Sequence, residues 1–306
     1  MLVGFNLPQI GPAASLSSIV NAAKRAESLG YDSLWVTERL LYPIKPSVPY
    51  AWSADGSFPE PYKRVLDPLE ALTFAAAHTT RVKLGTSVLD MPFYNPVTLA
   101  RRLTTLDVLS AGRLKIGLGQ GWSPDEHVAA GASMKGRGRR ADEFIKVLKA
   151  IWTSDPVEFH GKYFNVPKSI IQPKPVQKPH PPIYLAAFSP SSLKRAATLA
   201  DGWNPVGVPV EGLKQMTSQL KNMVREAGRK PEDFKVVLRA NITITPEPAG
   251  KDRQMFSGTL EQIGEDIGTA RDLGIIDEIF FDPTFSPDTR SEQDFMRHME
   301  QMRKLL

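Results

Sequence analysis

Short apolar runs rich in β-branched residues alternate with helical patterns along the chain, and this alternation restricts the fold more than any other feature. Strands that alternate with helices form a parallel sheet covered by helices, and eight such units can close into a barrel. Candidate strands are found at Leu2 to Leu7, Ser33 to Val36, Val82 to Val88, Leu114 to Leu118, Ile183 to Ala187, Trp203 to Val206, Val236 to Ile244 and Glu278 to Phe281. The sequence therefore predicts an α/β fold, a (β/α)8 TIM barrel with insertion segments.

The helices between these strands have recognisable ends. Ser15 is placed to cap a first helix with a single apolar face, and Gly30 ends that helix. Thr259 and Gln262 form a capping box at the start of the last predicted helix, which leads into the eighth strand.

Two segments are longer than ordinary loops, and both are predicted to be insertions in a single domain of residues 1–306. Residues 40–66 are rich in proline and aromatic residues, and residues 152–182 are rich in proline, lysine and histidine. Within the second segment, Val157 to Val166 reads as a β-hairpin. The aromatic residues of the first segment suit either a cover over a pocket for a bulky apolar substrate or packing of the loop on itself.

Composition excludes several classes of protein. The chain has no cysteine, so redox chemistry must come from a bound cofactor. No run of about 18 apolar residues and no signal peptide is found, which predicts a soluble, cytoplasmic protein without membrane contact. The net charge of +5 is spread along the chain with few interleaved aromatics, so we expect an anionic small molecule rather than nucleic acid as partner.

Catalytic groups of a barrel lie where its strands end, so polar residues at those positions are candidates. Strand 1 ends at Asn6 and Gln9, and strand 2 ends at Thr37, Glu38 and Arg39. An acid and a base at the end of an apolar strand are costly to bury unpaired. Glu38 and Arg39 are therefore catalytic candidates, with a structural ion pair that closes the barrel as the alternative.

Strand 4 runs into Gly117, Gly119, Gly121 and Trp122. These glycines do not form a dinucleotide fingerprint, because the third comes one residue early and no βαβ unit with a first strand surrounds them. Strand 3 by itself reads as an ordinary buried strand.

The strongest local signal is Ala186-Ala187-Phe188-Ser189-Pro190-Ser191, where an apolar strand passes into a helix. Ser189 can cap this helix, and Pro190 suits its first position. Free N–H groups and hydroxyls at such an end form a site for phosphate, and simple capping is the alternative.

Metal and hydrolase chemistry find no support in the motifs. The five histidines include no HExxH and no His-x-His after strand 1, and no GxSxG is present, so no metal site is predicted. His127 is the only histidine near the barrel mouth, and a lone helical histidine is usually structural.

The chain resembles the luciferase-like flavin and deazaflavin oxidoreductases, and within them the branch that depends on coenzyme F420. The resemblance covers almost the whole chain and rests on ordered segments: GFNLPQIG, YDSLWVTERL, RVKLGTSVLDMPFYNPVTLARRLTTLDVLSAGRLKIGLGQGW and PKPVQKPHPPIYLAAFSPSSLKRAATLADGWNP.

The resemblance implies where a cofactor would lie. It places a non-proline cis peptide at Ser87-Val88, as a bulge that supports the ring. It also places the phosphate at the segment from Ala186 to Ser189 and the helix that follows. The cofactor-binding residues predicted in this way are Asn6, Ser87, Val88, Trp122, Ala186, Ala187, Phe188, Ser189 and Ser191.

The resemblance also restricts the mechanism. Glu38 matches an acidic position of the family, and Arg39 stands where some deazaflavin-dependent dehydrogenases have histidine. A guanidinium cannot accept a proton at neutral pH, so Arg39 is expected to orient an anionic group or stabilise negative charge. Trp122 lies where some relatives have a catalytic glutamate, which leaves Asp125 and Glu126 as alternatives.

Three functions follow from the resemblance. The first is hydride transfer between F420 and a small organic substrate. The second is an FMN-dependent monooxygenase supplied by a separate flavin reductase, and the third is a flavin-binding protein without activity. Arg137, Arg139 and Arg140, expected on a loop at the mouth, favour the polyanionic F420 tail, although a solvated loop is the plainer interpretation. A homodimer is expected from the resemblance.

Overall fold

A computed structural model describes residues 1–53 and 55–306, and it has eight parallel strands that close into a barrel. The strands are β1 Leu2–Asn6, β2 Ser33–Val36, β3 Lys83–Thr86, β4 Leu114–Gly119, β5 Ile183–Leu185, β6 Gly202–Trp203, β7 Lys235–Asn241 and β8 Glu278–Asp282. Each strand pairs with its neighbours in chain order, and β1 pairs with β8 to complete the ring. The predicted (β/α)8 barrel is confirmed.

Nine helices lie in the described residues. They are α1 Leu16–Ser28, α2 Pro68–Ala77, α3 Pro96–Leu109, α4 Pro124–Ala129, α5 Arg137–Thr153, α6 Pro190–Leu199, α7 Val210–Glu226, α8 Leu260–Asp272 and α9 Glu292–Lys304. Ser15 caps α1, and Thr259 with Gln262 forms the predicted capping box of α8.

The prediction that α8 is the last helix is wrong, because α9 follows β8. Ser291 caps α9, and its few apolar residues, Phe295, Met299 and Met302, recur at helical spacing and are buried. The helix is otherwise polar, which concealed its apolar face. It covers the outside of β1, where Phe295 packs edge-on against Phe5 with 5.5 Å between ring centroids.

Several strands are shorter than predicted. The third ends at Thr86, before a cis peptide bond between Ser87 and Val88 that the resemblance had placed there. Leu89–Asp90 then forms a short pairing with β4. The seventh ends at Asn241, and Thr243–Ile244 pairs instead with Ser257–Gly258.

The segment after α5 contains the predicted hairpin. Strands Val157–His160 and Asn165–Ser169 pair antiparallel. No helix of residues 1–53 or 55–306 is long and apolar enough to cross a membrane.

Side chains inside the barrel form layers, as expected for this fold. In the lowest layer Lys115 pairs with Glu278, which also accepts a hydrogen bond of 2.5 Å from Ser33 Oγ. The middle layer is apolar, and Trp35 stacks on Phe280 with 4.6 Å between ring centroids. The uppermost layer, at the carboxyl ends of the strands, is polar. Its members are Asn6, Thr37, Ser87, Asn204, Arg239 and Asp282, and all are buried.

Candidate functional site

Arg239 organises the polar layer at the barrel mouth. It comes from β7 and donates from Nη2 to Asp282 Oδ2 at 2.5 Å, from Nη1 to the Ser87 carbonyl at 3.1 Å and from Nε to Asn241 Oδ1 at 3.0 Å. Charge-assisted hydrogen bonds of this kind are stronger than neutral ones. Arg239 therefore fixes the carbonyl of the cis peptide segment relative to β7 and β8.

Asn204 holds the other side of the same segment. Ser87 Oγ donates to Asn204 Oδ1 at 2.7 Å, and Asn204 Nδ2 donates to the Val237 carbonyl at 2.7 Å. The hydroxyl and the carbonyl of Ser87 thus both have hydrogen-bond partners within the protein. Its predicted role in binding a ring would therefore depend on shape rather than on hydrogen bonding.

Three buried polar atoms that follow or end β1 and β2 have no partner in the described part of the chain. They are Asn6 Oδ1, Thr37 Oγ1 and Arg39 Nε, at the ends of β1 and β2. Buried polar groups are rarely left without a hydrogen bond, and such exceptions often mark a place for water or a ligand. The amide and hydroxyl suit the polar edge of a flavin-like ring, so the residues at the mouth fit the expected cofactor.

Glu38 does not pair with Arg39. Its Oε2 accepts a hydrogen bond of 2.5 Å from the Asp90 N–H, and its Oε1 contacts the Tyr94 hydroxyl at the start of α3. Burial is the main cause that raises the pKa of Glu38 to about 8, and the nearby Asp90 carboxylate adds to it. A carboxyl with that pKa carries a proton at neutral pH.

Asp90 is the second acid of this cluster. Burial raises its pKa to about 6, while a hydrogen bond of 2.8 Å from the Gly121 N–H and the charge of Arg39 act in the opposite direction. Glu38 and Asp90 thus titrate in different ranges, the pattern by which sites separate proton donors from acceptors.

Arg39 forms a buried ion pair with Glu126 from α4. The Nη1 to Oε2 distance is 2.6 Å, and the two side chains are only 7% and 2% exposed. Glu126 Oε1 also accepts from the Leu40 N–H at 2.7 Å. The guanidinium carbon lies 4.5 Å from the ring centroid of Tyr62 and 5.3 Å from that of Trp122, within the range of cation–π contacts.

The long loop after β2 packs its aromatic residues together at the mouth. Tyr50, Phe58 and Trp122 have ring centroids 5.4 to 5.6 Å apart. Tyr62 also contacts Phe285, which follows β8, with 5.3 Å between ring centroids. The aromatic residues of the loop therefore pack on one another, and a role as cover over a pocket for a bulky apolar substrate stays a prediction.

The segment after β5 begins α6 as predicted. Ser189 caps the helix by accepting from Ser192 N, and Ser192 Oγ accepts from the N–H groups of Phe188 and Ser189 at 3.0 and 2.9 Å. The Ser189 and Ser191 side chains are exposed beside this end. Capping is present, and phosphate binding at Ala186, Ala187 and the residues after them stays a prediction.

The expectation that three arginines lie on a mouth loop is wrong, because Arg137, Arg139 and Arg140 form the first turn of α5. Gly136, with φ of 73°, lets the chain turn into the helix at that point. Arg137 donates to the Gly121 carbonyl at 2.6 Å and lies at the rim. Arg140 lies 5.2 Å from the Tyr163 ring, so it packs on the hairpin.

His127 is a packed helix residue. It is buried, and its Nδ1 lies 3.0 Å from the Ser123 carbonyl. No group of acidic or histidine side chains suited to a metal ion occurs in residues 1–53 and 55–306.

A family model described as luciferase-like monooxygenase matches residues 1–261. The chain belongs to this family. It has the predicted barrel, and its relatives include both an F420-dependent and an FMNH2-dependent enzyme.

Three relatives show which proteins this luciferase-like chain is similar to. An uncharacterized protein of Mycobacterium tuberculosis is 37% identical over 184 residues, which is 60% of this chain and 65% of the relative. An F420-dependent glucose-6-phosphate dehydrogenase of Amycolatopsis mediterranei is 32% identical over 73% of this chain and 62% of its own length. An FMNH2-dependent dimethylsulfone monooxygenase of Pseudomonas putida is 32% identical over 47% of this chain and 40% of its own.

A solved structure shows the same fold over the full luciferase-like chain. Monooxygenase RslO1 from Streptomyces bottropensis superposes with a TM-score of 0.82 at 23% identity, covering 100% of this chain and 98% of that one.

Sequence reasoning missed several residues of the mouth: Asp90, Tyr94, Asn204, Arg239 and Asp282. A signal for two of them was present, because Arg239 and Asp282 are charged residues that each follow an apolar run within a strand. Tyr94 and Asp90 carry no such signal, since both lie in the connection between β3 and α3, where polar side chains are ordinary.

Proposed function

We propose that the chain transfers hydride between coenzyme F420 and a small organic substrate. The observation that carries the proposal is the set of unpartnered buried atoms, Asn6 Oδ1, Thr37 Oγ1 and Arg39 Nε, at the mouth of a barrel of this family. F420 is favoured over FMN because the F420-dependent relative matches 73% of the chain and the FMNH2-dependent one 47%.

Residues of this chain would bind and orient the cofactor. Asn6, Ser87, Val88 and Trp122 would contact the ring, with Ser87 fixed by Asn204 and Arg239. The residues Ala186, Ala187, Phe188, Ser189 and Ser191 would bind the phosphate at the start of α6, where the helix dipole favours an anion. When bound, the deazaflavin supplies the hydride chemistry.

The acids beside the mouth would handle the proton. In reduction of a carbonyl group, carbon gains a hydride, which the bound cofactor would supply, and oxygen gains a proton, which an acid beside the mouth would donate and recover from water. Glu38 holds a proton at neutral pH in contact with Tyr94. Arg39 would stabilise charge on the substrate oxygen, and the aromatic loop would exclude water.

A substitution at Ser189 tests the phosphate site. Asp caps a helix as well as Ser does, so Ser189→Asp keeps α6 capped but sets a carboxylate beside the bound phosphate. We expect F420 and FMN to bind at least about tenfold more weakly, and a deazaflavin without phosphate to bind unchanged, as measured by quenching of cofactor fluorescence.

Ser291→Asp is the matched control, because Ser291 also caps a helix, α9, which follows β8 rather than β5. Unchanged F420 binding by Ser189→Asp would place the phosphate elsewhere.

The FMN-dependent monooxygenase is the second candidate, favoured by the similarity to the dimethylsulfone enzyme. The wild-type titration separates the two. Tight binding of FMN without binding of F420, together with oxygen uptake in the presence of reduced FMN, would refute the F420 proposal.

A further inference from the structure

The two guanidinium groups at the barrel mouth are each neutralised by a buried carboxylate. Arg239 pairs with Asp282 at 2.5 Å, and Arg39 pairs with Glu126 at 2.6 Å. All four side chains are at least nine-tenths buried. Neither cation therefore has free charge to offer to an anionic substrate.

The two other acids near Arg39 supply no positive charge. Glu38 is neutral when protonated, and Asp90 is either neutral or negative. Arg137 lies at the rim and contacts the Gly121 carbonyl beside Asp90. A carboxylate or phosphate on a substrate beside Arg39 would lose its hydration and meet a cation that Glu126 already pairs, which is unfavourable.

The side chains that pack around Arg39 are aromatic. Tyr62 and Trp122 lie on the guanidinium, and Tyr50 contacts both of them, at 6.0 and 5.4 Å between ring centroids. Rings of this kind pack favourably against another π-system.

One polar atom among these aromatic side chains lacks a hydrogen-bond partner. Arg39 Nε is buried and has no acceptor in residues 1–53 and 55–306. A neutral oxygen on a substrate would provide that acceptor without adding a charge.

We propose that the substrate is an uncharged, flat carbonyl compound, packed against Tyr50, Tyr62 and Trp122 with its oxygen towards Arg39. Because Glu126 already pairs with Arg39, this ion pair is the feature that selects against anions. This inference rests on the proposed function, because it names the substrate class for the same site.

The experiment compares two probes that differ in charge and by one methyl group, methyl 4-formylbenzoate and 4-formylbenzoate. Their binding to the protein loaded with oxidised F420 is measured by titration calorimetry. We expect the ester to bind at least about tenfold more tightly than the acid.

Glu126→Gln tests the cause of that selectivity. Gln keeps an oxygen to accept from the Leu40 N–H but leaves the charge of Arg39 without a counter-ion. We expect the affinity for the acid to rise about tenfold and that for the ester to change less than about threefold. The control, Glu300→Gln, makes the same change in net charge at a half-exposed pair on α9 and is expected to alter neither affinity.

Wild-type selectivity needs no variant, so the test does not depend on the folding of Glu126→Gln. Equal binding of the two probes, preference for the acid, or binding of neither by the F420-loaded protein overturns the proposed substrate class. Failure of F420 itself to bind in the preceding titration overturns the proposed function instead.

Discussion

Two glutamates near the mouth have different surroundings. Glu126 faces the Arg39 guanidinium and accepts a hydrogen bond from the Leu40 N–H. Glu38 forms no ion pair within residues 1–53 and 55–306 and has the carboxylate of Asp90 nearby, so burial favours its neutral form. The same residue type therefore serves as a counter-ion at one position and as a proton carrier at the other.

The raised pKa of Glu38 predicts how stability depends on pH. Between the ordinary value of 4.5 and about 8, the folded protein keeps a proton that the unfolded chain releases. The free energy of unfolding should therefore fall as the pH rises through this range. Glu38 contributes up to ~1.4 kcal/mol per pH unit to this fall. Glu38→Gln removes this loss, so we expect the variant to be more stable than wild type at pH 8.

Urea denaturation at several pH values between 5 and 8 measures this effect. Glu300→Gln, on the surface, serves as the control and should follow the wild-type pH dependence. If Glu38→Gln also shows the wild-type pH dependence of stability, Glu38 is already ionised at pH 5.

At the level of elements, one side chain connects both ends of the loop over the mouth. Gln9 follows β1 and is fully buried. Its Nε2 donates to the carbonyls of Thr37 and Leu66, each at 3.0 Å, and its Oε1 accepts from the Thr37 N–H at 3.3 Å. The side-chain amide of Gln9 therefore binds the backbone at both ends of the loop, although these ends are far apart in the chain.

Replacing Gln9 by Met keeps the length of the side chain but leaves these backbone groups unpaired. Each buried polar group left without a partner costs about 1–3 kcal/mol, so we expect a loss of roughly 2–4 kcal/mol in the free energy of unfolding. Faster proteolysis within residues 40–66 should accompany it.

Gln219→Met is the matched control, because Gln219 is exposed on α7. If Gln9→Met loses no more stability than this control in urea denaturation, the contacts of Gln9 do not hold the loop.

At the scale of the whole molecule, the barrel closes around Trp35. Gly4 and Gly85, on the strands to either side of β2, have no side chain where the indole lies, and a Cβ at either position would overlap it. The fully buried indole and its stacking on Phe280 explain why glycine is found at these two positions.

Gly85→Ala tests this close packing. A methyl group in contact with the indole forces the barrel interior to shift, and overpacking of this kind costs about 1–3 kcal/mol. The midpoint of thermal unfolding, followed by circular dichroism, is expected to fall.

Gly268→Ala provides the opposite expectation. Gly268 lies within α8 with open space around it, and Ala is favoured over Gly in helices by about 0.5–1 kcal/mol. A Gly85→Ala variant as stable as wild type would contradict the packing argument.

Much of the architecture was predictable because its signals are local. Strand and helix periods, the caps at Ser15, Ser189 and Thr259 and the hairpin after α5 depend on residues close together in the chain. Two wrong predictions show the limit of this approach. Helix α9 was not predicted, because its apolar face is narrow and its other residues are polar. The arginines at the start of α5 were predicted to lie on a loop, because the start of this helix depends on one glycine.

The sequence by itself determined the barrel, the strand ends that carry Glu38 and Arg39, and the capped turn at Ser189. Only the tertiary structure decided the partners of those residues. Tyr94 is 56 residues from Glu38, and Glu126 is 87 residues from Arg39, so no local pattern links them. Closure of the barrel brings the strand ends together, and the burial that follows makes one carboxyl neutral and pairs another with a cation.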